Sequence, residues 1–290
     1  MTVSAPAKIN LGLKIKGKRE DGYHDLFTVL QKLQLADILH LSIRQSAEIV
    51  LKCPDSNLPV NDDNLVVQAA RAFFQYFDSS CGVEIVLEKR VPIAAGLGGG
   101  SSDAAAVLRG LNRLFGKGLS REQLIALARP LGVDVPFFVT DYNAAEGQGV
   151  GDILKPVAGL GDCWVVLVNP DFEVSTKWVY ENFALTTDGN PYILAPGLNR
   201  IFKDKSGEDT AFFNQDSGFH LFNDLESVTI GRFPVLAEIK NQLLRAGAVG
   251  ALMSGSGPTV FGIFLDYDRA VSSCKRFSGR FRSVFLTKPL

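Results

Sequence analysis

The sequence is poor in the residues that mark several large classes of protein. It has four cysteines and three histidines in 290 residues, with no Cys-x-x-Cys pair, so it indicates neither a zinc site nor a disulfide framework. Lys and Arg total 30 against 31 Asp and Glu, and no long basic cluster occurs, which argues against nucleic acid as a partner. We expect free thiols in the reducing cytoplasm.

Long apolar runs are also lacking. Residues 1–8 contain no apolar core of the kind that a signal peptide needs. The longest uncharged stretch, residues 249–265, is interrupted by four glycines and a proline, which favours a strand, a glycine turn and a second strand over a membrane span. We therefore expect no membrane partner.

What is present is the balance of an ordinary globular protein, with 46% hydrophobic and 21% charged residues. A chain of this length exceeds what one core usually supports, so two domains are expected. The linker is placed at residues 147–161, with domains at 1–155 and 156–290. Residues 184–217, rich in Asp, Asn, Gly and Pro, are predicted to be loop or short helix.

Hydrophobic periodicity predicts mixed strands and helices along the chain. A near capping box at Ser120–Gln123 begins one of the helices. Strands are predicted at 3–16, 26–35, 38–43, 83–89, 163–169 and 282–287, with a strand pair within 249–265; helices are predicted at 65–74, 102–114, 120–131, 235–246 and 268–277.

A glycine loop at residues 96–102 lies between a predicted strand and a predicted helix. Successive glycines that open a helix expose backbone N–H groups to a phosphate, and the phosphates of ATP are the obvious candidate. The loop lacks the Gly-Lys-Ser/Thr ending of a Walker A motif, and Ser101 stands where a dinucleotide loop needs its third glycine. A tight turn that only packs a helix against a sheet is the alternative.

The loop belongs to a longer motif, Pro92–Ser102, which resembles the central motif of the GHMP kinase superfamily. That superfamily includes galactokinase, homoserine kinase and mevalonate kinase. Its other two motifs resemble Pro6–Leu11 and Met253–Phe261, in the same order along the chain. The resemblance implies an α+β, two-domain GHMP kinase fold with the active site in the interdomain cleft, and an ATP-dependent phosphotransferase with an alcohol acceptor.

Within the superfamily the sequence is most similar to the diphosphocytidyl alcohol kinases of non-mevalonate isoprenoid biosynthesis. This similarity rests on Asp21–His24, Asp63–Leu65, Gly132–Pro136 and the triple-glycine loop. It implies phosphorylation of the 2-hydroxyl of a cytidine-bearing polyol. A mevalonate or homoserine kinase is the alternative, although neither substrate would require Tyr23-His24, and a catalytically dead ligand sensor is a further one.

The resemblance implies that Asp134 is the catalytic base and Lys8 its electrostatic partner. A carboxylate that accepts the proton of an alcohol suits this chemistry, as does a lysine that balances the charge on the moving phosphoryl group. Without the resemblance, the alternative for Asp134 is a helix-capping or solvent-facing acid in a turn. The alternative for Lys8, again without the resemblance, is a surface lysine at a strand edge.

The resemblance also implies the binding residues. Mg²⁺ would accompany ATP, although no protein ligand for the ion can be named. The binding partner would be a small-molecule substrate, and the protein would be a monomer or a weak homodimer. The alternatives are that Asp63 or Asn64 caps the next helix, Leu65 is core and Lys89 is a charged strand end. Asp103 departs from the alanine that is usual in the superfamily. The ATP-binding residues are Pro92, Ile93, Ala94, Ala95, Gly96, Leu97, Gly98, Gly99, Gly100, Ser101, Ser102, Asn64, Leu65 and Lys89, and the substrate-binding residues are Asn10, Tyr23, His24 and Tyr180.

Overall fold

The computed structural model describes residues 1–77, 81–183, 193–194, 213–214 and 218–290, so most of the segment predicted as loop at 184–217 lies outside the described residues. The chain forms two compact units. Unit 1 comprises residues 1–7, 35–93 and 98–142, and unit 2 comprises residues 8–34, 94–97 and 143–290. Because the units interleave along the chain, they do not test a single domain boundary near residue 155, which stays a prediction.

Two long strands contribute residues to both units: β1 (Thr2–Lys18) and β2 (His24–Arg44). In unit 1, the second half of β2 pairs antiparallel with β4, and β4 pairs parallel with β3. The four helices of this unit pack mainly on one another, α1 against α2 and α2 against α4. The other elements of unit 1 are β3 (Ile49–Lys52), α1 (Leu65–Phe77), β4 (Gly82–Glu88), α2 (Gly99–Leu114), α3 (Arg121–Ala128), a 3-10 turn (Arg129–Leu131) and α4 (Val135–Val139).

Unit 2 contains a four-stranded antiparallel sheet, in the order β11-β12-β7-β13, with α7 and α8 packed against it. Its other pairings join the first half of β2 to β5, β5 to β6, and β1 to β10. The elements of this unit are β5 (Ala144–Gln148), β6 (Ile153–Pro156), β7 (Trp164–Asn169), α5 (Thr176–Asn182), β8 (Ile193–Leu194), β9 (Phe213–Asn214), β10 (Gly218–Asn223), α6 (Glu226–Arg232), α7 (Val235–Arg245), β11 (Gly250–Met253), β12 (Val260–Phe264), α8 (Tyr267–Ser278) and β13 (Ser283–Thr287).

Most predicted elements are confirmed, and the differences have local physical causes. The two strands predicted at 26–35 and 38–43 are one strand, β2. Asp37 interrupts the apolar pattern there, yet it is fully buried because its carboxylate accepts hydrogen bonds from the chain after β4. The predicted linker at 147–161 holds part of the β5–β6 hairpin, and its role as a domain linker stays a prediction.

The helix predicted from residue 102 is α2, which begins three residues earlier at Gly99. The low helix propensity of glycine hides this first turn in the sequence. The capping box of α3 is confirmed, with Ser120 and Gln123 bonded reciprocally. No helix within the described ranges is long and apolar enough to cross a membrane.

Candidate active site

Lys8 is buried in β1 and held by a chain of hydrogen bonds within unit 2. Its Nζ donates to Asn10 Oδ1 at 2.7 Å, and Asn10 Nδ2 donates to Thr28 Oγ1 at 2.8 Å. Thr28 Oγ1 in turn donates to the backbone oxygen of Gly12 at 2.8 Å. With 4% of its surface exposed, Lys8 is not the surface lysine that the sequence left open. Its ammonium has a fixed position in a buried setting, where electrostatic interactions are stronger than in water.

The turn between β11 and β12 lies against this lysine. Ser254 Oγ accepts the N–H of Asn10 and donates to the carbonyl of Gly96. A Cβ on Gly255 would stand 3.3 Å from Asn10 Oδ1 and 3.7 Å from Lys8 Nζ. The turn therefore packs against Asn10 and the ammonium group of Lys8.

Asn223 anchors this turn, although the sequence did not identify it. Its Nδ2 donates to the carbonyls of Met253 and Gly255, at 2.8 and 2.7 Å, and its Oδ1 accepts the N–H of Leu225. The residue follows a segment of weak periodicity and carries no recognisable motif. Only its position at the end of β10, which packs beside β11, reveals its role.

An aromatic pair in unit 2 consists of His24 and Tyr180, whose ring centroids are 5.3 Å apart. His24 is buried, whereas Tyr23 is 58% exposed. Burial, followed by the charge of Lys18, lowers the pKa of His24, so its imidazole is neutral at physiological pH. The structure thus brings together two of the three aromatic residues predicted to hold a nucleobase, and it leaves the face of Tyr23 available for stacking.

The glycine loop opens α2 with free backbone donors. Gly98, at the N-cap, is left-handed with φ 68°, and no side chain of the described residues caps the helix. Ala94 also has a left-handed φ of 51°, a strained conformation for a residue with a Cβ, and such strain is concentrated at functional sites. The N–H groups at Gly99 and Gly100 are donors of the kind that a phosphate needs, and binding of phosphate by this loop stays a prediction.

The part of the loop that belongs to unit 2, residues 94–97, is fixed by contacts of its own. The carbonyl of Leu97 accepts the N–H of Lys8 at 2.9 Å. Gly96 has a φ of 75°, and a Cβ there would lie 2.2 Å from the carbonyl oxygen of Ser254. Only glycine fits this position, because the neighbouring atom is backbone and cannot move aside.

Residues of unit 1 fit the phosphates of a nucleotide. Ser102 Oγ is buried and has no hydrogen-bond partner within the described parts of the chain, and buried hydroxyl groups normally have one. Together with the uncapped start of α2, it offers donors of the kind that phosphate oxygens accept. For Mg²⁺, the described residues contain no group of three or more His, Cys, Asp or Glu side chains that could hold a metal ion. An ion that accompanies ATP usually retains waters and binds to phosphate oxygens.

Asp134 stands at the N-cap position of α4, in unit 1, and is half-buried. Its side chain makes no capping hydrogen bond to the described residues of that helix, so the capping interpretation of this acid was wrong. The preceding turn approaches the glycine loop, since a Cβ on Gly132 would lie 4.0 Å from Ser101 Oγ. Unit 1 therefore brings the Asp134 turn next to the start of α2, and the role of Asp134 as base stays a prediction.

Asn64 and Leu65 lie at the start of α1. Asn64 Oδ1 accepts the N–H of Val66 at 2.9 Å, and its Nδ2 donates to the carbonyl of Pro59 at 2.8 Å, which confirms the capping interpretation. Leu65 is half-buried, and its Cδ1 is 3.9 Å from where a Cβ on Gly100 would stand. Leu65 thus borders the loop, and contact of either residue with ATP stays a prediction.

Lys89 is not a simple charged strand end. Its Nζ donates to Asp37 Oδ2 at 2.5 Å and to Asp103 Oδ2 at 2.8 Å. Burial lowers the pKa of Lys89, but the larger combined effect of the two carboxylates raises it above its ordinary value. The sequence did not identify Asp37 as part of this cluster, because an acid within a strand gives no pattern that points to a lysine 52 residues away.

Two family models match the chain: "GHMP kinases N terminal domain" at residues 64–141 and "GHMP kinases C terminal" at residues 208–278. These matches include α2 with its uncapped glycine start and the turn that lies against Lys8. The chain belongs to the GHMP kinase family. It follows from this membership that the fold is α+β and that the protein is a kinase with an alcohol acceptor.

Relatives within that family carry a more specific name. The chain is 47% identical, over 276 residues, to a 4-diphosphocytidyl-2-C-methyl-D-erythritol kinase of Syntrophotalea carbinolica, covering 95% of this chain and 94% of that protein. A crystal structure of 4-(cytidine 5'-diphospho)-2C-methyl-D-erythritol kinase is 35% identical, with a TM-score of 0.81 and coverage of 100% and 99%. A homoserine kinase from Cytophaga hutchinsonii shares the fold, at TM-score 0.70, 18% identity and coverage of 100% and 94%.

Proposed function

We propose that this protein transfers the γ-phosphate of ATP to the 2-hydroxyl of 4-diphosphocytidyl-2-C-methyl-D-erythritol, giving the 2-phosphate and ADP. The reaction belongs to non-mevalonate isoprenoid precursor biosynthesis. The observation that carries the choice of acceptor is the 47% identity, over 95% of the chain, to a relative named for this substrate. A homoserine kinase and a mevalonate kinase that share the fold are only 18% and 15% identical to this chain.

The start of α2 supports ATP as the donor. Its uncapped N–H groups, the helix dipole and Ser102 Oγ converge on one end of the helix, and together they favour an anion of high charge. Mg²⁺ would bind together with the nucleotide and would neutralise part of the negative charge on the phosphate oxygens.

The aromatic residues of unit 2 support a cytidine-bearing acceptor. The neutral imidazole of His24 has both a donor and an acceptor nitrogen, and it lies 5.3 Å from the ring of Tyr180. Neither homoserine nor mevalonate has a ring for these side chains to contact. Tyr23, in the same turn, would add an exposed stacking face.

Asp134 and Lys8 are proposed to carry the chemistry. Asp134 would accept the proton of the attacking hydroxyl. The buried ammonium of Lys8, held at 2.7 Å by Asn10, would stabilise negative charge as the phosphoryl group moves. A catalytically dead ligand sensor would have no use for a buried lysine in a network of this kind.

We further propose that the enzyme acts in the cytoplasm as a monomer or weak homodimer. All four cysteines lie among the described residues and are free thiols, which is the usual state of cysteine in a reducing compartment.

The variant Asp134→Asn tests this assignment, because the amide keeps the shape of the side chain but cannot act as a base. We expect turnover of the cytidine substrate to fall at least ~10²-fold, with the Kd for ATP within about threefold of the wild type. Coupled ADP formation and ATP titration measure the two quantities. Asp55→Asn, an exposed acid of unit 1, is the control, and unchanged turnover in Asp134→Asn would remove this residue from the mechanism.

A further inference from the structure

A buried cluster of two carboxylates and one lysine lies beside the start of α2. The side chains of Asp37, Asp103 and Lys89 are 0%, 2% and 8% exposed, and Lys89 Nζ contacts both acids. When all three groups are ionised, the cluster has one negative charge in excess. Such a charge is costly in a buried setting unless a proton neutralises it.

The two acids are not equivalent as sites for that proton. Asp37 uses both oxygens, since Oδ2 accepts from Lys89 and Oδ1 accepts the N–H groups of Arg90 and Val91. Both oxygens of Asp37 therefore already have donors within the protein. Asp103 Oδ2 accepts from Lys89, whereas its buried Oδ1 has no partner in the portion of the chain that the structure describes. Asp103 is therefore the acid that binds the proton at lower cost.

The electrostatics agree with this choice. Burial raises the pKa of Asp103, the charge of Lys89 opposes the rise, and the charge of Asp37 adds to it, with a value of about 7 as the result. Cys53 also faces the group, and the pKa of its thiol is raised by burial and by the charge of Asp103. Asp103 thus changes its charge near neutral pH, within reach of small perturbations.

The cluster adjoins the residues proposed to hold the phosphates of ATP. A Cβ on Gly99 would stand 3.3 Å from Lys89 Nζ, and Gly99 is the first residue of α2. Asp103 belongs to the same helix, one residue after Ser102. A negative charge at this place repels phosphate, so that the phosphates of ATP favour the neutral form of Asp103.

We propose that Asp103 takes up a proton when the phosphates of ATP bind at the glycine loop, so that this residue couples nucleotide affinity to pH. The inference rests on the proposed function for its ATP site. The proton moves from solvent to the carboxylate of Asp103, and the net charge of the cluster changes from −1 to zero. Lys89 then stabilises the loop through the cluster rather than as a ligand of the nucleotide.

The test is calorimetric titration of the protein with ATP and Mg²⁺ at pH 7.5, in buffers of different ionisation enthalpy. We expect the wild type and the control Asp55→Asn to take up roughly 0.5 proton more per bound nucleotide than Asp103→Asn. Protonation of ATP itself is common to the three proteins and cancels. Equal proton uptake in the wild type and Asp103→Asn would overturn the inference.

The affinity of the protein for ATP should depend on pH for the same reason. Since the bound state holds the proton more tightly, wild-type affinity falls as the pH rises above about 7, whereas Asp103→Asn lacks this dependence. We expect the ratio of the wild-type Kd to that of Asp103→Asn to increase about threefold to tenfold between pH 6 and 8.5. Parallel curves would contradict the proposal.

Thermal unfolding without nucleotide shows independently whether Asp103 titrates. An acid whose pKa is raised on folding contributes stability that is full below its unfolded pKa, near 3.9, and is lost as the pH rises through about 7. The Tm of the wild type relative to Asp103→Asn should therefore fall between pH 5 and 7 and level off above 8. A difference independent of pH would overturn the inference.

These outcomes separate the two proposals. ATP binding with proton uptake but no transfer to the cytidine substrate would contradict the proposed acceptor and leave the role of Asp103 standing. Failure of the wild type to bind ATP would overturn both.

Discussion

At the scale of single residues, the orientation of Lys8 depends on Asn10. Asn10 uses its oxygen for the lysine and its nitrogen for Thr28, so its side chain has two partners within the protein. The interpretation from sequence made Asn10 a substrate ligand, and that role is untested. The hydrogen bonds favour a different one, in which Asn10 positions the lysine.

Replacing Asn10 by alanine should separate these roles. We expect kcat to fall about tenfold to 100-fold, because a misplaced charge weakens stabilisation of the transition state, while the KM of the cytidine substrate stays within about threefold. Steady-state kinetics with both substrates varied give the two numbers. Thr28→Val, which removes the support but keeps the Lys8–Asn10 hydrogen bond, should have an intermediate effect.

The opposite pattern would identify Asn10 as a substrate ligand. In that case the KM of the cytidine substrate would rise at least about tenfold, kcat would change little, and Thr28→Val would behave as the wild type.

Motifs predicted the identity of several site residues, but not their surroundings. Lys8, Asp134 and Ser102 were named because they lie in segments that resemble motifs of the family. The burial of Lys8, the partners of Lys89 and the anchoring role of Asn223 depend on contacts between distant segments. Such contacts leave no periodic trace in the sequence, so they required the structure.

At the scale of elements, the glycine loop shows why its glycines are not interchangeable. Gly96 has a left-handed backbone, and a Cβ there would stand 2.2 Å from the carbonyl oxygen of Ser254, whereas a Cβ on Gly100 would have one neighbour, at 3.9 Å. The sequence presents the two glycines as similar. The structure separates one that the fold requires from one that leaves space for a methyl group.

This contrast predicts different stabilities for two alanine variants. Gly96→Ala should lower the free energy of unfolding by at least about 2 kcal/mol, because it combines a left-handed Cβ with a clash against backbone. Gly100→Ala should leave it unchanged or raise it by up to about 1 kcal/mol, through higher helix propensity. Chemical denaturation of both variants measures the difference, and equal stabilities would show that the loop is not fixed at Gly96.

Elements with clear patterns were predictable, since periodicity and capping residues define them locally. The start of α2 was missed because two glycines in its first turn, preceded by a third at the N-cap, oppose helix propensity, although the first N–H groups of a helix need no partner within it. The continuity of β2 was missed because Asp37 is stabilised by Lys89 and by two backbone N–H groups.

At the scale of the whole molecule, the family could be predicted because three motifs occur in order across the chain. The two matching family models and the related crystal structure confirm the family and the α+β fold. The division into interleaved units could not be predicted, because long strands contribute residues to both of them. Composition and periodicity describe neighbours in sequence, whereas this division depends on pairing between distant strands.

The central claim is transfer of phosphate from ATP to one hydroxyl of a cytidine-bearing alcohol, and phosphorus NMR of the product tests it most directly. The purified protein is incubated with ATP, Mg²⁺ and either 4-diphosphocytidyl-2-C-methyl-D-erythritol, mevalonate or homoserine. We predict one new phosphomonoester resonance, from a phosphate on the 2-hydroxyl of the cytidine substrate. The amount of this product should equal the amount of ADP formed. A phosphomonoester formed only from mevalonate or homoserine, or release of inorganic phosphate alone, would contradict the account.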